Sequence, residues 1–346
     1  MVFPRVVLAG HGVISRLGEV CREFAFHKEI LIITGSRTRQ ICGDDAVEIL
    51  KKSGMSPEVA VCNSATREEV DAVVEKARGI NPSLIVGVGG GSKIDIAKVS
   101  ASRLNIPFIS VPTSAAHDGI SSPRASIKED GVPYSIEAVM PIAIIADTSI
   151  LVKAPHRFLA AGCADVIANT TAVLDWELAS RLHNEPFSTS AATIARFSAE
   201  TLISHADAIK PGVEESVWFA IKQIIISGIS MSIAGSSRPA SGSEHMFAHM
   251  LERIAPNRSL HGEQCGVGAI MMMYLHGGDW KRIRDALLRI GAPTTAKELG
   301  VTKAQVIQAL VHAHEIRPDR YTILGVKGLS EDAAERVVTV TGVCEK

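Results

Sequence analysis

LIVGVGGGSKIDIAKVSA, residues 84–101, runs an apolar strand into an amphipathic helix through Gly87, Gly89, Gly90, Gly91 and Ser92. Glycines let a backbone approach a pyrophosphate closely, and the unpaired N–H groups of the following helix, with its dipole, stabilise the anion. Three successive glycines cost backbone entropy that a turn binding nothing would not require. The stretch therefore reads as a phosphate cradle at the carboxyl end of a parallel strand. Its spacing is not GxGxxG and no Gly-Lys-Ser/Thr follows, so neither the usual dinucleotide fingerprint nor a P-loop is present.

The same strand-to-turn pattern recurs on both sides. EILIITGSRT (29–38), SPEVAVCNS (56–64) and PFISVPTSAAHDG (107–119) repeat it, MPIAIIADTSIL (140–151) adds a further strand, and MVFPRVVLAGHG supplies the first. Between them, ATREEVDAVVEKARG puts Val70, Val73, Val74 and Ala77 on one helical face. Such alternation predicts a Rossmann-like α/β domain with a parallel sheet over residues 1–155. After Pro155 strand signals nearly vanish. RFLAAGCADVIANTTAVLDWELASRLHN (157–184), SAATIARFSAETLISHADAI (190–209), ESVWFAIKQIIISGISMSIAG (215–235) and TKAQVIQALVHAHEI (302–316) carry helical periodicity. Residues 156–346 are thus expected to form an all-α domain.

Composition narrows the function classes. Thirty-six Lys plus Arg against 37 Asp plus Glu leave a net charge of -1 over 346 residues, without the excess that nucleic-acid or anionic-membrane binders carry. With 46% hydrophobic residues the chain can bury a large core, and 4% aromatics make a poor stacking platform for single strands. Cys21, Cys42, Cys62, Cys163, Cys265 and Cys344 form no CxxC pair and no disulfide framework, which fits a reducing, cytoplasmic compartment. The N-terminus lacks a signal-peptide core. The most apolar stretches, 224–234 and 267–275, fall short of the about 20 residues that cross a bilayer and read as buried helices.

Two further features carry chemistry. VPTSAAHDGISSP (111–123) follows a strand with small and hydroxyl residues, then His117 and Asp118, where open α/β sheets bind ligands; a capped polar turn is the competing reading. SGSEHMFAHMLE places His245 and His249 four residues apart on one helical face, and His261 follows in SLHGEQCG. Two imidazoles at i and i+4 with a third nearby suit a divalent metal. Met246 stands where the HExxH zinc helix has its general-base Glu, so a zinc peptidase is not expected. Asp165, amid small and apolar residues, needs a metal or a cation partner if buried.

GGGSKID, PTSAAHDGISSPRASI, GCADVIANTTAVLDWELA, SRPASGSEHMFAHMLE, LHGEQCGVG and IRPDRYTILG together resemble the archaeal-type sn-glycerol-1-phosphate dehydrogenases. That family lies within the superfamily of iron-type alcohol dehydrogenases, glycerol dehydrogenases and dehydroquinate synthase. The resemblance implies a dehydroquinate synthase-like fold and reduction of dihydroxyacetone phosphate by NADH or NADPH to sn-glycerol 1-phosphate, the backbone of archaeal membrane lipids. It also implies one Zn2+ per subunit and a homo-oligomer. Carried onto this chain, Asp165, His245 and His261 become metal ligands, and His249 becomes a substrate contact, as do Asp118 and Asp165. Asp165 and His249 are the expected catalytic pair. Gly91, Ser92, Lys93, Ile94, Asp95, Thr113, Ser114, Ala115, Ala116 and Ser122 become cofactor contacts.

For the cofactor, the strand EILIITG ends in Thr34, Gly35, Ser36 and Arg37 without the carboxylate that binds an adenosine 2'-hydroxyl. Nothing there repels a 2'-phosphate and Arg37 can pair with it, which predicts that NADPH is accepted. Arg124, Arg258 and Lys327 are the cations in or near the motif loops available to a substrate phosphate. A polyol dehydrogenase of the same superfamily, and then a dehydroquinate-synthase-like lyase, are the competing readings; partners are small molecules, without nucleic acid or membrane insertion.

Overall fold

The computed structural model describes residues 1–129 and 132–345. Among the described residues, eight strands run in chain order: β1 (Val6–Gly10), β2 (Glu29–Thr34), β3 (Ser56–Val61), β4 (Leu84–Gly89), β5 (Phe108–Pro112), β6 (Arg124–Glu129), β7 (Val132–Glu137) and β8 (Ala143–Asp147). Six pair in parallel in the order β1-β8-β5-β4-β2-β3. Strand β4 is buried along its whole length because sheet neighbours flank it on both sides and helices cover both faces. Its apolar run Leu84–Val88 and the equally buried Ile30–Ile33 of β2 form the centre of the core. From β2 the chain steps outward to β3, then crosses to β4 on the other side. That reversal opens a crevice at the carboxyl ends of β2 and β4, the position at which doubly wound sheets bind ligands.

The pair β6 and β7 is an antiparallel hairpin, Arg124 opposite Glu137, that the sequence reading lacked. Its signal was the alternation in β6, where Ala125 and Ile127 are buried and Ser126 and Glu129 exposed.

Two compact units divide the chain: Met1–His156 with Gly212–Ser232, and Arg157–Pro211 with Ile233–Lys346. The expected change near residue 155 appears, with one difference. Helix Glu214–Ala234, assigned from sequence to the second half, packs almost entirely within the first unit. Ser121 Oγ donates to the carbonyls of Ile224 and Ile225 in it, at 3.3 and 3.2 Å. At 21 residues this helix, like the segment His156–His183, also has the length and apolar character that the shorter apolar runs did not suggest. The apolar windows of the two are 61% and 89% buried inside the protein, as core helices are. The second unit is helical: His156–Ile167, Asn169–His183, Thr189–Ser204, Ser243–Ile254, His261–Leu275 and shorter helices beyond.

Candidate active site

In the first unit, helix Gly91–Leu104 begins two residues beyond β4. Lys93 and Ile94 give their N–H groups to the Gly90 carbonyl, at 2.9 and 3.3 Å, which leaves those of Gly91 and Ser92 to face an anion. The second loop joins the first directly, Thr113 N donating to Gly89 O at 3.0 Å. Thr113 and Ser114, whose Oγ would lie 3.1 Å from a Cβ at Gly90, therefore flank the N-terminus of the helix that Gly91, Ser92 and Lys93 open, and Ala115 and Ala116 follow them in the loop. Ile94 is fully buried, so it offers that site backbone alone. Asp95 is turned inward as well: it accepts from Ser126 N at 3.2 Å and lies 3.7 Å from Lys98 Nζ. Lys98, with no exposed surface, donates to the carbonyls of Gly119 and Arg124, so this buried pair holds the 119–126 segment against the helix. Ser122 lies within that segment, buried, its hydroxyl bonded to the backbone of Arg124.

His117, noted in the second loop but given no role among the cofactor contacts, lies against the cradle. A Cβ at Gly91 would stand 1.8 Å from its Nε2, so only glycine allows the imidazole to lie there. Its Nδ1 accepts from Gly119 N at 3.0 Å, which puts the ring proton on Nε2, at the helix N-terminus. Asp118 is fixed from the opposite side, its Oδ2 accepting from Ser227 Oγ at 2.7 Å.

In the second unit three helices bring the metal candidates together. Asp165 comes from His156–Ile167, His245 from Ser243–Ile254, and His261 opens His261–Leu275. Their ligand atoms, with Cys265 Sγ, all lie within 4.8 Å of one another. A close helix contact makes this possible: a Cβ at Gly262 would stand 2.1 Å from Ala161 O, so the third helix touches the first beside Asp165. Glu263 locks that contact, accepting two hydrogen bonds from Arg157 at 2.5 and 2.7 Å and one from Leu260 N at 2.8 Å.

His245 is oriented by its neighbour. Its Nδ1 donates to Glu244 Oε1 at 3.0 Å, which leaves Nε2 to face Asp165 Oδ1 at 3.5 Å. With Asp165 3% and His245 9% exposed, the pair needs a positive charge between the two groups, a proton on Nε2 or a metal ion that displaces it. Carboxylate and imidazole donors in that relation fit a divalent metal. Glu244 is itself held by Gly242 N (2.6 Å) and Thr171 Oγ1 (3.0 Å).

His249, one turn beyond His245, stays outside the donor group; its ring stacks on His261 at 5.1 Å between centroids. Burial, then the neighbouring His261 and His245 and the charges of Arg317 and Arg253, hold it well below the ordinary imidazole range. Cys265 takes the place in the group that spacing alone would give His249. It sits at i+4 from His261, with Sγ 3.4 Å from Nε2, a relation readable from HGEQC once His261 is placed at a helix start. Of the three cations considered for a substrate phosphate, Arg124 bonds Ser135 O in the β6–β7 hairpin and Arg258 and Lys327 are exposed.

Residues 8–155 match the family model of iron-containing alcohol dehydrogenases. Glycerol-1-phosphate dehydrogenase (NAD(P)+) of Methanosarcina acetivorans is 55% identical over 343 residues, covering 99% of this chain and 96% of its own. The Methanothermobacter thermautotrophicus enzyme of the same name is 54% identical over 340 residues, 98% and 97% of the two chains. The chain belongs to the glycerol-1-phosphate dehydrogenase family. This glycerol-1-phosphate dehydrogenase family member shares its fold with solved structures of much lower identity. Schizosaccharomyces pombe glycerol dehydrogenase superposes with a TM-score of 0.83 at 22% identity, over 99% of this chain and 89% of its own. Butanol dehydrogenase A of Thermotoga maritima gives 0.77 at 17%, over 98% and 97%.

Proposed function

We propose that the protein reduces dihydroxyacetone phosphate with NADH or NADPH to sn-glycerol 1-phosphate, the glycerophosphate unit of archaeal membrane lipids. The reading makes it an NAD(P)-dependent oxidoreductase. The observation that carries it is the convergence of Asp165, His245 and His261 beside His249, in a chain 55% identical along its length to relatives of that name.

A divalent ion bound to Asp165, His245 and His261 supplies Lewis acidity toward the ketone oxygen, and the nicotinamide supplies hydride. Zinc is the proposed ion: three protein ligands are the count of catalytic zinc sites, and the adjacent Cys265 sulfur suits a borderline-soft metal. Gly91 and Ser92 N–H groups, the helix dipole and His117 Nε2–H hold the pyrophosphate, with Thr113–Ala116 and Ser122 shaping the rest of the nucleotide site. Asp118 and His249 receive the substrate's polar groups. A neutral His249 both accepts and donates, so it passes a proton from water to the new hydroxyl. Glu244 keeps His245 in the ligating tautomer. Association into a homo-oligomer, for which the exposed Leu182 and Phe197 offer apolar surface, and a cytoplasmic location belong to the same proposal.

His261→Ala tests the metal half. The variant is expected to lose bound metal and reductase activity while its circular dichroism spectrum stays unchanged; a metal-free variant with full activity contradicts the proposal.

A further inference from the structure

Helix Ser243–Ile254 carries His245, His249 and Arg253 at four-residue steps, a single stripe rising about 6 Å per step. The short helix Ala313–Ile316 packs against it, and Arg317 follows at its end. The position of that chain segment is fixed by several bonds. Arg320 donates to Ser241 O at 2.7 Å and Ser237 Oγ at 3.1 Å, immediately before the histidine helix. Arg238 donates to Tyr321 O at 2.9 Å. Asp175, fully buried, accepts from Ile323 N with one oxygen and from Ser243 N with the other, both at 2.7 Å. One carboxylate thus ties the arginine segment to the start of the helix that bears His245 and His249.

The charge here is unbalanced. Arg157 and Arg238 each have a carboxylate partner, Glu263 and Glu185. Among the described residues, Arg317 and Arg253 have none within ion-pair distance, although Arg317 is half-buried. Burial, followed by the Arg317 and Arg238 charges, lowers Arg320 to about 9, and both Arg317 and Arg253 act on His249. Glu315, which accepts from His312 at 2.7 Å, also feels the charge of Arg253, but neither Arg253 nor Arg317 is bound to a carboxylate, and such guanidinium groups beside the histidine stripe offer donors to an anion.

We propose that Arg317 and Arg253 bind the phosphate of the substrate and make the enzyme selective for a phosphorylated triose. The inference rests on the activity proposed above. In dihydroxyacetone phosphate the phosphorus lies one carbon and one ester oxygen from the ketone carbon, a reach comparable with the rise of about 6 Å that separates His249 from Arg253. The carbonyl therefore lies at the His245 end of the stripe and the phosphate at the Arg253 end.

The test compares kcat/KM for dihydroxyacetone phosphate and dihydroxyacetone in wild type, Arg317→Gln, Arg253→Gln and the double variant, all loaded with metal. Each single change is expected to lower the selectivity ratio about 10- to 100-fold, more in the double, with partial recovery in Arg317→Lys. Inorganic phosphate titrated into the NADP+-saturated enzyme should bind more weakly to the variants, with metal content and melting temperature as in wild type. Wild-type selectivity with unchanged ratios and phosphate affinity in the glutamine variants overturns the arginine assignment alone. A wild type indifferent to the phosphate overturns the proposed activity itself.

Discussion

His245 Nδ1 lies 3.0 Å from Glu244 Oε1, and this bond between sequence neighbours aims the opposite ring nitrogen at Asp165. Glu244→Gln keeps the shape and removes the charge that fixes the tautomer. Loss of such a partner lowers metal affinity about 10- to 100-fold. Metal titration monitored calorimetrically should find that decrease, with the fold intact; wild-type affinity would show that Glu244 does not orient the ligand.

Gly262 sets the distance between two of the metal-bearing helices. A methyl group there meets Ala161 O at 2.1 Å and Asp165 Cβ at 3.1 Å. Gly262→Ala should force the helices apart, destabilising by about 1–3 kcal/mol and weakening metal retention. Thermal unfolding of the apo and metal-loaded variant measures both effects, and an unshifted melting temperature would refute the contact.

Much of this architecture was legible in the sequence, and the parts that were not share a cause. The cradle at Gly89–Ser92 and the stripe His245–His249 depend on local periodicity and turn chemistry, which residue order displays. The group Asp165, His245 and His261 was reached through resemblance, because its assembly depends on a helix contact at Gly262, far along the chain from Ala161. Cys265 escaped notice as one of six scattered cysteines until helix His261–Leu275 put it one turn from His261. Arg317 stands in IRPDRYTILG, one of the stretches that carry the resemblance, but nothing in that stretch marks it as an anion ligand; tertiary packing through Asp175 brings its segment to the histidine helix. Helix Glu214–Ala234 joined the first unit for the same reason, since bonds from Ser121 outweigh its position in the chain.

Arg37 is exposed in the short helix Ser36–Thr38 that follows β2. Pairing with an adenosine 2'-phosphate predicts that Arg37→Gln raises the KM for NADPH about tenfold and leaves that for NADH in place. Equal changes for both cofactors would remove Arg37 from the selectivity.

Cys21, Cys42 and Cys163 are buried, and burial pushes each thiol up to about 12 from 9.0. Between those values the unfolded chain has released protons that the folded chain retains, so stability falls as the pH rises from about 9 toward 12. At pH 8 only about one in ten thousand of these thiols is ionised in the folded protein, which predicts negligible labelling by thiol reagents before denaturation. Rapid labelling of the three in the folded state would contradict their burial.

The central claim is that this site reduces a phosphorylated ketone. Following NADPH and NADH oxidation with dihydroxyacetone phosphate and with dihydroxyacetone tests it most directly. Efficient turnover of the phosphate ester to sn-glycerol 1-phosphate is expected, with a kcat/KM for dihydroxyacetone lower by about 100-fold or more, the loss of two charge-assisted contacts. Equal or faster turnover of dihydroxyacetone would instead identify a polyol dehydrogenase and contradict it.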